Sequence, residues 1–123
     1  MQSVGSFLKE KLGNMAKWVT EEVGKENLSI DIEKFVCSRS ELEVTFLAET
    51  LNGNATTIVH KDWCGLSKIL TDDKIPLHFQ TQFSELLHAV RGREDLHDKF
   101  WRYMNLFKDV VNSDVQLDKH VVK

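Results

Sequence analysis

Two segments with helical periodicity, one near each end of the chain, constrain the fold more than any other feature of the sequence. Residues 3–23 space six apolar side chains three or four positions apart, namely Val4, Leu8, Leu12, Met15, Val19 and Val23. A second stripe lies near the other end, formed by Leu96, Phe100, Tyr103, Phe107 and Val110. Such spacing puts apolar side chains on one helical face, so both segments are predicted to be amphipathic helices. Residues after 112 are expected to fray.

Local signals support these helices and predict two more between them. Ser3 or Ser6 can cap the first helix, and Gly24 stands where a left-handed residue ends a helix. A short helix follows Trp63, and Pro76 fits the first turn of the next one. That helix has a clear apolar stripe, which consists of Phe79, Phe83, Leu86, Leu87 and Val90.

Within residues 28–62, the runs 28–33 and 41–48 alternate between apolar and polar side chains apart from Leu47, which is a strand pattern. Asn52-Gly53 lies between the alternating run 41–48 and the β-branched run 55–59. Asn-Gly is the preferred pair of a two-residue hairpin, because both turn positions need a positive φ. The region is therefore predicted to be a three-stranded antiparallel meander.

A helix over residues 40–52 is the competing interpretation. Ser40 and Glu43 match a capping box, and Gly53 can end the helix. Four apolar residues then fall at helical spacing, namely Val44, Leu47, Ala48 and Leu51. The β-branched content beside Asn52-Gly53 favours the hairpin.

The predicted fold is a single α+β domain over residues 1–123, with an all-α bundle as the alternative. It has an N-terminal helix, the meander, and three helices packed on one face of the sheet. This order resembles that of acidic secretion chaperones.

Charge and cysteine content limit the classes of function. The chain carries 16 basic and 19 acidic residues, a net charge of −3, which argues against a nucleic-acid partner. No apolar run reaches signal-peptide or membrane-span length, so we expect a cytoplasmic protein that does not bind membranes. Cys37 and Cys64 are then expected to be reduced and buried.

Arg91 and His97 are the candidate catalytic residues, and five residues separate them. This spacing resembles the arginine–histidine signature of HEPN-type ribonucleases, although Gly92 stands where those enzymes usually have a polar residue. The resemblance covers these seven residues. It implies an all-helical fold and action of both side chains on the RNA backbone, and so conflicts with the meander.

His60 and Cys64 are the candidate metal ligands, with Cys37 as a distant third. Imidazole and thiolate suit zinc, but structural zinc sites usually have paired ligands at short spacing. We therefore expect no metal and no other cofactor.

Aromatic residues at the edges of the helical stripes are the candidate interface. Phe7 and Trp18 are eleven positions apart on the first helix, and Trp101 and Met104 lie on the last. Trp, Met and Arg are enriched in protein interfaces. The leading hypothesis is thus a small protein-binding module, such as an inhibitor, immunity protein, adaptor or chaperone. The alternatives are a ribonuclease or small-molecule enzyme centred on Arg91 and His97, and a structural homodimer.

Overall fold

The computed structural model describes residues 3–112, and this range forms seven α-helices and no strand. The helices are α1 (Val4–Val23), α2 (Ile32–Cys37), α3 (Glu41–Asn52), α4 (Ala55–Val59), α5 (Trp63–Leu70), α6 (Leu77–Arg91) and α7 (His97–Asn112). The predicted α+β fold is therefore wrong, and the all-α alternative is correct. Without a sheet in this range, the likeness to secretion chaperones has no basis. The predicted fraying after residue 112 lies outside the described residues.

The first helix has the predicted bounds. The Oγ of Ser3 accepts a hydrogen bond from the backbone N–H of Ser6 at 3.0 Å, which satisfies one of the unpaired donors of the first turn. Gly24 ends α1 with a φ of 91°, and its N–H donates to the carbonyl of Thr20 at 2.9 Å. The stripe of α1 is buried, at Leu8, Leu12, Met15, Ala16 and Val19.

The alternating run 41–48, which was predicted to be a strand of the meander, lies in helix α3. A complete capping box fixes the first turn of this helix. The N–H of Glu43 donates to the Oγ of Ser40 at 3.1 Å, and the N–H of Ser40 donates to the Oε1 of Glu43 at 3.4 Å. Such a cap contributes about 1 kcal/mol to helix stability. The residues at helical spacing are the buried ones, namely Val44, Leu47, Ala48 and Leu51.

The predicted hairpin turn is absent, because Gly53 has right-handed angles. Its φ of −66° and ψ of −13° differ from the positive φ of a type I′ turn. Asn52 remains in α3, and its Nδ2 donates to the carbonyl of Lys108 on α7 at 2.9 Å. Before α2, Leu28 and Ile30 lie in a non-helical connection and are half-buried against the core.

The core forms where α1, α3 and α7 meet, and α1 also packs against α2 and α6. The predicted stripe of α6 is buried in this core. On another side of α7, Trp63 of α5 places its ring 5.2 Å from that of Phe100 and 4.8 Å from that of Trp101. Within residues 3–112, no helix combines the length and apolar content required to traverse a bilayer.

We predict that Gly53→Ala leaves the free energy of unfolding within about 1 kcal/mol of the wild type, because alanine adopts right-handed angles without strain. The added Cβ would meet atoms no nearer than 3.5 Å. Gly24→Ala is the matched control, and its positive φ should cost roughly 1–2 kcal/mol. Urea denaturation measures both changes. If Gly53→Ala lowers the free energy of unfolding as much as Gly24→Ala does, Gly53 has the positive φ of a type I′ turn.

Candidate functional site

Two half-buried aromatic side chains meet on the surface where α1 packs beside α7. The ring centroids of Trp18 on α1 and Tyr103 on α7 are 5.8 Å apart, and the planes are tilted by 32°. Each ring rests partly on the core and keeps part of its area in solvent. Aromatic side chains in this position offer apolar area to a ligand at little cost in conformational entropy.

Basic side chains lie over aromatic rings on the surface where α1 packs beside α7. The Nζ of Lys99 is 4.9 Å from the centroid of Trp18, and the Nζ of Lys11 is 5.0 Å from that of Phe7. Both distances are within the range of a cation–π interaction, which holds an ammonium near the ring without neutralising its charge. This surface therefore presents positive charge next to aromatic area.

Arg102 and Leu106 extend this surface along α7. They follow Lys99 by three and seven positions, so the three side chains share one side of the helix. Leu106 is 42% exposed, and the Nε of Arg102 donates to the carbonyl of Asp98 at 3.4 Å. An open depression of about 400 Å³ lies against these side chains and Tyr103.

We call this region the α1–α7 surface and define it by Lys11, Trp18, Lys99, Arg102, Tyr103 and Leu106. The ion pairs within residues 3–112 involve cations other than Lys11, Lys99 and Arg102. Neither Lys11 nor the four α7 residues were predicted from the sequence as part of an interface. The spacing of residues 99, 102 and 106 was the signal that could have revealed three of them.

The four predicted interface residues divide into two pairs. Phe7 and Trp18 are half-buried, and both contact cations of the α1–α7 surface. Trp101 and Met104 are only 2% and 4% exposed and belong to the core. Because a buried side chain offers no area to a partner, we do not include Trp101 and Met104 in the candidate surface.

Arg91 and His97 lie at the two ends of the segment that connects α6 to α7. Arg91 is the last residue of α6 and is exposed, whereas His97 begins α7 and is half-buried. The Nε2 of His97 is 3.0 Å from the carbonyl oxygen of Val90 and 3.2 Å from that of Arg91. A nitrogen so close to two acceptors carries a proton and donates it, so His97 satisfies carbonyls at the end of α6.

The candidate metal ligands lie on the surface near the start of α5. His60 and Cys64 are both exposed, and no group of three or more His, Cys, Asp or Glu residues within 3–112 has an arrangement suited to a metal ion. Asp62 caps α5, because its Oδ1 accepts from the N–H of Gly65 at 3.0 Å. Cys37 and Cys64 are unpaired, but both are exposed, so the expectation that they are buried is wrong.

A polar cluster of Arg39, Glu43 and His78 joins the start of α3 to the first turn of α6. The Nε2 of His78 is 2.9 Å from the Oε2 of Glu43 and 3.0 Å from the NH1 of Arg39. The hydrogen bond from His78 holds the pKa of Glu43 below its ordinary value. Because an ionised Glu43 only accepts, the Nε2 of His78 donates to it and cannot also accept from Arg39. Glu43 pairs with both neighbours, and the cluster neutralises its own charge.

The lowered pKa of Glu43 predicts a loss of stability in acid. The folded state favours the carboxylate, so this stability is present above the unfolded pKa and disappears as the pH falls through the folded pKa. We expect the wild type to lose more unfolding free energy than Glu43→Gln between about pH 6 and about pH 3. Urea denaturation at both pH values measures this. Glu49→Gln, an exposed change on the same helix, should behave as the wild type.

The contacts of His97 predict that it stabilises the fold more than Arg91 does. His97→Ala removes the side-chain donor to the Arg91 carbonyl and a ring that lies 5.0 Å from Trp63, while the Val90 carbonyl keeps the N–H of Arg93, so the change should cost about 1–3 kcal/mol. Arg91→Ala changes an exposed side chain and should stay within about 0.5 kcal/mol of the wild type. Equal effects on the urea midpoint would contradict a structural role for His97.

Comparisons with known proteins reveal no relative of this chain. No family model, curated protein or solved structure shows a significant match. The functional proposal therefore rests on the contacts, exposure and charge of this chain's own residues.

Proposed function

We propose that this chain is a protein-binding module that holds its partner on the α1–α7 surface. The observation that supports it most is the half-buried pair of Trp18 and Tyr103 beside the exposed Leu106. Interfaces are enriched in Trp, Tyr and Arg, and their strongest contributors are aromatic side chains that a partner covers completely.

The chemistry of the α1–α7 surface favours binding over catalysis. Its six side chains supply positive charge, aromatic area and aliphatic area, and none is a carboxylate, imidazole or thiol, the groups that most often serve as general base or nucleophile. Lysine and tyrosine can also transfer protons, but Lys11 and Lys99 lie over aromatic rings. Such a surface is better suited to recognising a partner than to catalysis.

A ribonuclease centred on Arg91 and His97 is the second candidate. The all-helical fold agrees with the fold that the HEPN-type resemblance implies, and Arg91 is exposed. Within residues 3–112 no contact joins the side chain of Arg91 to the side chain of His97, and the Nε2 of His97 already donates to backbone carbonyls, including that of Arg91. The geometry thus gives this candidate less support than it gives the binding module.

A homodimer through the same surface is disfavoured by charge. In a two-fold dimer the same patch of both copies is buried, so the interface would contain Lys99 and Arg102 of both copies. Like charges brought together in this way oppose association.

We further propose that the module acts in the cytoplasm. The support is that Cys37 and Cys64 are exposed and not bonded to each other. Exposed thiols persist in a reducing compartment, whereas oxidising compartments favour their conversion to disulfides.

The test compares one exposed leucine of the proposed surface with two exposed leucines elsewhere. A tagged wild-type chain captures its partner from cells that naturally produce it, and the purified partner is then titrated against variants by calorimetry. Leu106→Ser should weaken binding by about tenfold or more, because it removes apolar area next to Tyr103. Leu42→Ser and Leu77→Ser are the matched controls and should bind as the wild type, although these leucines are 83% and 74% exposed.

Two results would contradict the proposal. If Leu42→Ser or Leu77→Ser weakens binding and Leu106→Ser does not, the partner binds another surface. If the purified wild type cleaves RNA and Arg91→Ala abolishes the cleavage without changing stability, the chain is a ribonuclease.

A further inference from the structure

We infer that the α1–α7 surface recognises an acidic peptide segment of its partner, with carboxylates on Lys99 and Arg102 and an apolar side chain on Leu106 and Tyr103. This inference rests on the proposed function and adds the chemical class of the ligand. It follows from the charge of the surface, from the spacing of its side chains and from the contacts of Trp18.

The charge of the surface is opposite to that of the chain. The whole chain has a net charge of −3, and Lys11, Lys99 and Arg102 contribute +3, which leaves −6 for the remainder. An acidic ligand is therefore repelled by the rest of the molecule and attracted to this surface. Electrostatic complementarity of this kind determines orientation and speeds association.

The spacing on α7 indicates how such a segment lies. Lys99 and Arg102 are one turn apart, and Leu106 is one further turn along. At a rise of 1.5 Å per residue, the distance along the helix from residue 99 to residue 106 is about 10 Å. An extended peptide rises about 3.3 Å per residue, so two acidic residues and a large apolar one span this distance when the first and last are about three positions apart. In a helical peptide the same side chains would have to be spread over about seven positions.

A single-stranded nucleic acid would use the aromatic rings differently. Its bases stack on open ring faces, and this stacking supplies much of the affinity. Trp18 already has Lys99 over its ring and Tyr103 beside it, so it offers no open platform of that kind. The surface therefore suits carboxylates next to an aliphatic group better than stacked bases.

The test is a selection of random peptides on the immobilised full-length chain, followed by affinity measurement on the enriched peptides. The wild type should enrich peptides with two or more Asp or Glu residues near a large apolar residue. Lys99→Glu combined with Arg102→Glu should weaken their binding by about tenfold or more. Lys34→Glu combined with Lys68→Glu, which changes the net charge equally at exposed lysines elsewhere, should bind as the wild type.

Circular dichroism and the thermal midpoint establish that both double variants are folded before their affinities are compared. Affinity should also fall as the salt concentration rises, because charged groups at an open surface are screened.

Several outcomes overturn the inference. These are the enrichment of basic or uncharged peptides, no enrichment at all, and acidic peptides that bind the Lys99→Glu/Arg102→Glu variant as they bind the wild type. Tighter binding of a single-stranded oligonucleotide would assign the surface to nucleic acid. Self-association in light scattering that the same variant abolishes would assign it to a second copy of the chain. If the inference fails while Leu106→Ser still weakens partner binding, the binding-module proposal stands and only its ligand class is wrong.

Discussion

Burial of the apolar stripe of α1 is the interaction on which the rest of the structure depends. Four other helices pack against α1, and its Leu8, Ala16 and Val19 have no exposed area. Burial of each large aliphatic side chain contributes roughly 1.5–3 kcal/mol, so these contacts are a main source of stability. The same packing places α7 beside α1, and Trp18 thereby meets Tyr103. The candidate surface is therefore a direct consequence of how the core forms.

The sequence predicted the helices whose apolar stripes are long and failed where two periodicities coincide. Residues 42–48 alternate like a strand because Leu42 and Phe46 are apolar but face solvent, at 83% and 39% exposure. Without these two exposed residues, the buried positions Val44, Leu47 and Ala48 have helical spacing. The capping box at Ser40 was the local signal for helix, whereas Asn52-Gly53 carried a turn preference that the chain does not use.

The candidate site was only partly predictable, because its α7 side depends on tertiary contacts. Trp18 was found from its position at the edge of the α1 stripe, as was Phe7, whose ring lies under Lys11 of the surface. Tyr103 was assigned to the buried face of the last helix, and its partial exposure depends on α1 being its neighbour. Trp101 was placed outside that face, but Trp63 of α5 covers it from another side. Helix α7 is thus buried over a wider arc than its own periodicity indicates.

Within residues 3–112, the region of Leu42 and Leu77 exposes apolar side chains as the α1–α7 surface does, and the pairing of charges distinguishes the two. At the first turns of α3 and α6, Arg39 and His78 both contact Glu43, and the adjacent Leu42 and Leu77 lie beside a neutralised cluster. A charged ligand there would have to displace contacts that the fold already makes. Lys99 and Arg102 form no ion pair within residues 3–112, so a carboxylate that binds them does not displace an acidic side chain of that range. Apolar exposure alone would not separate the two regions, whereas the unpaired charge beside Leu106 favours the α1–α7 surface as the site of recognition.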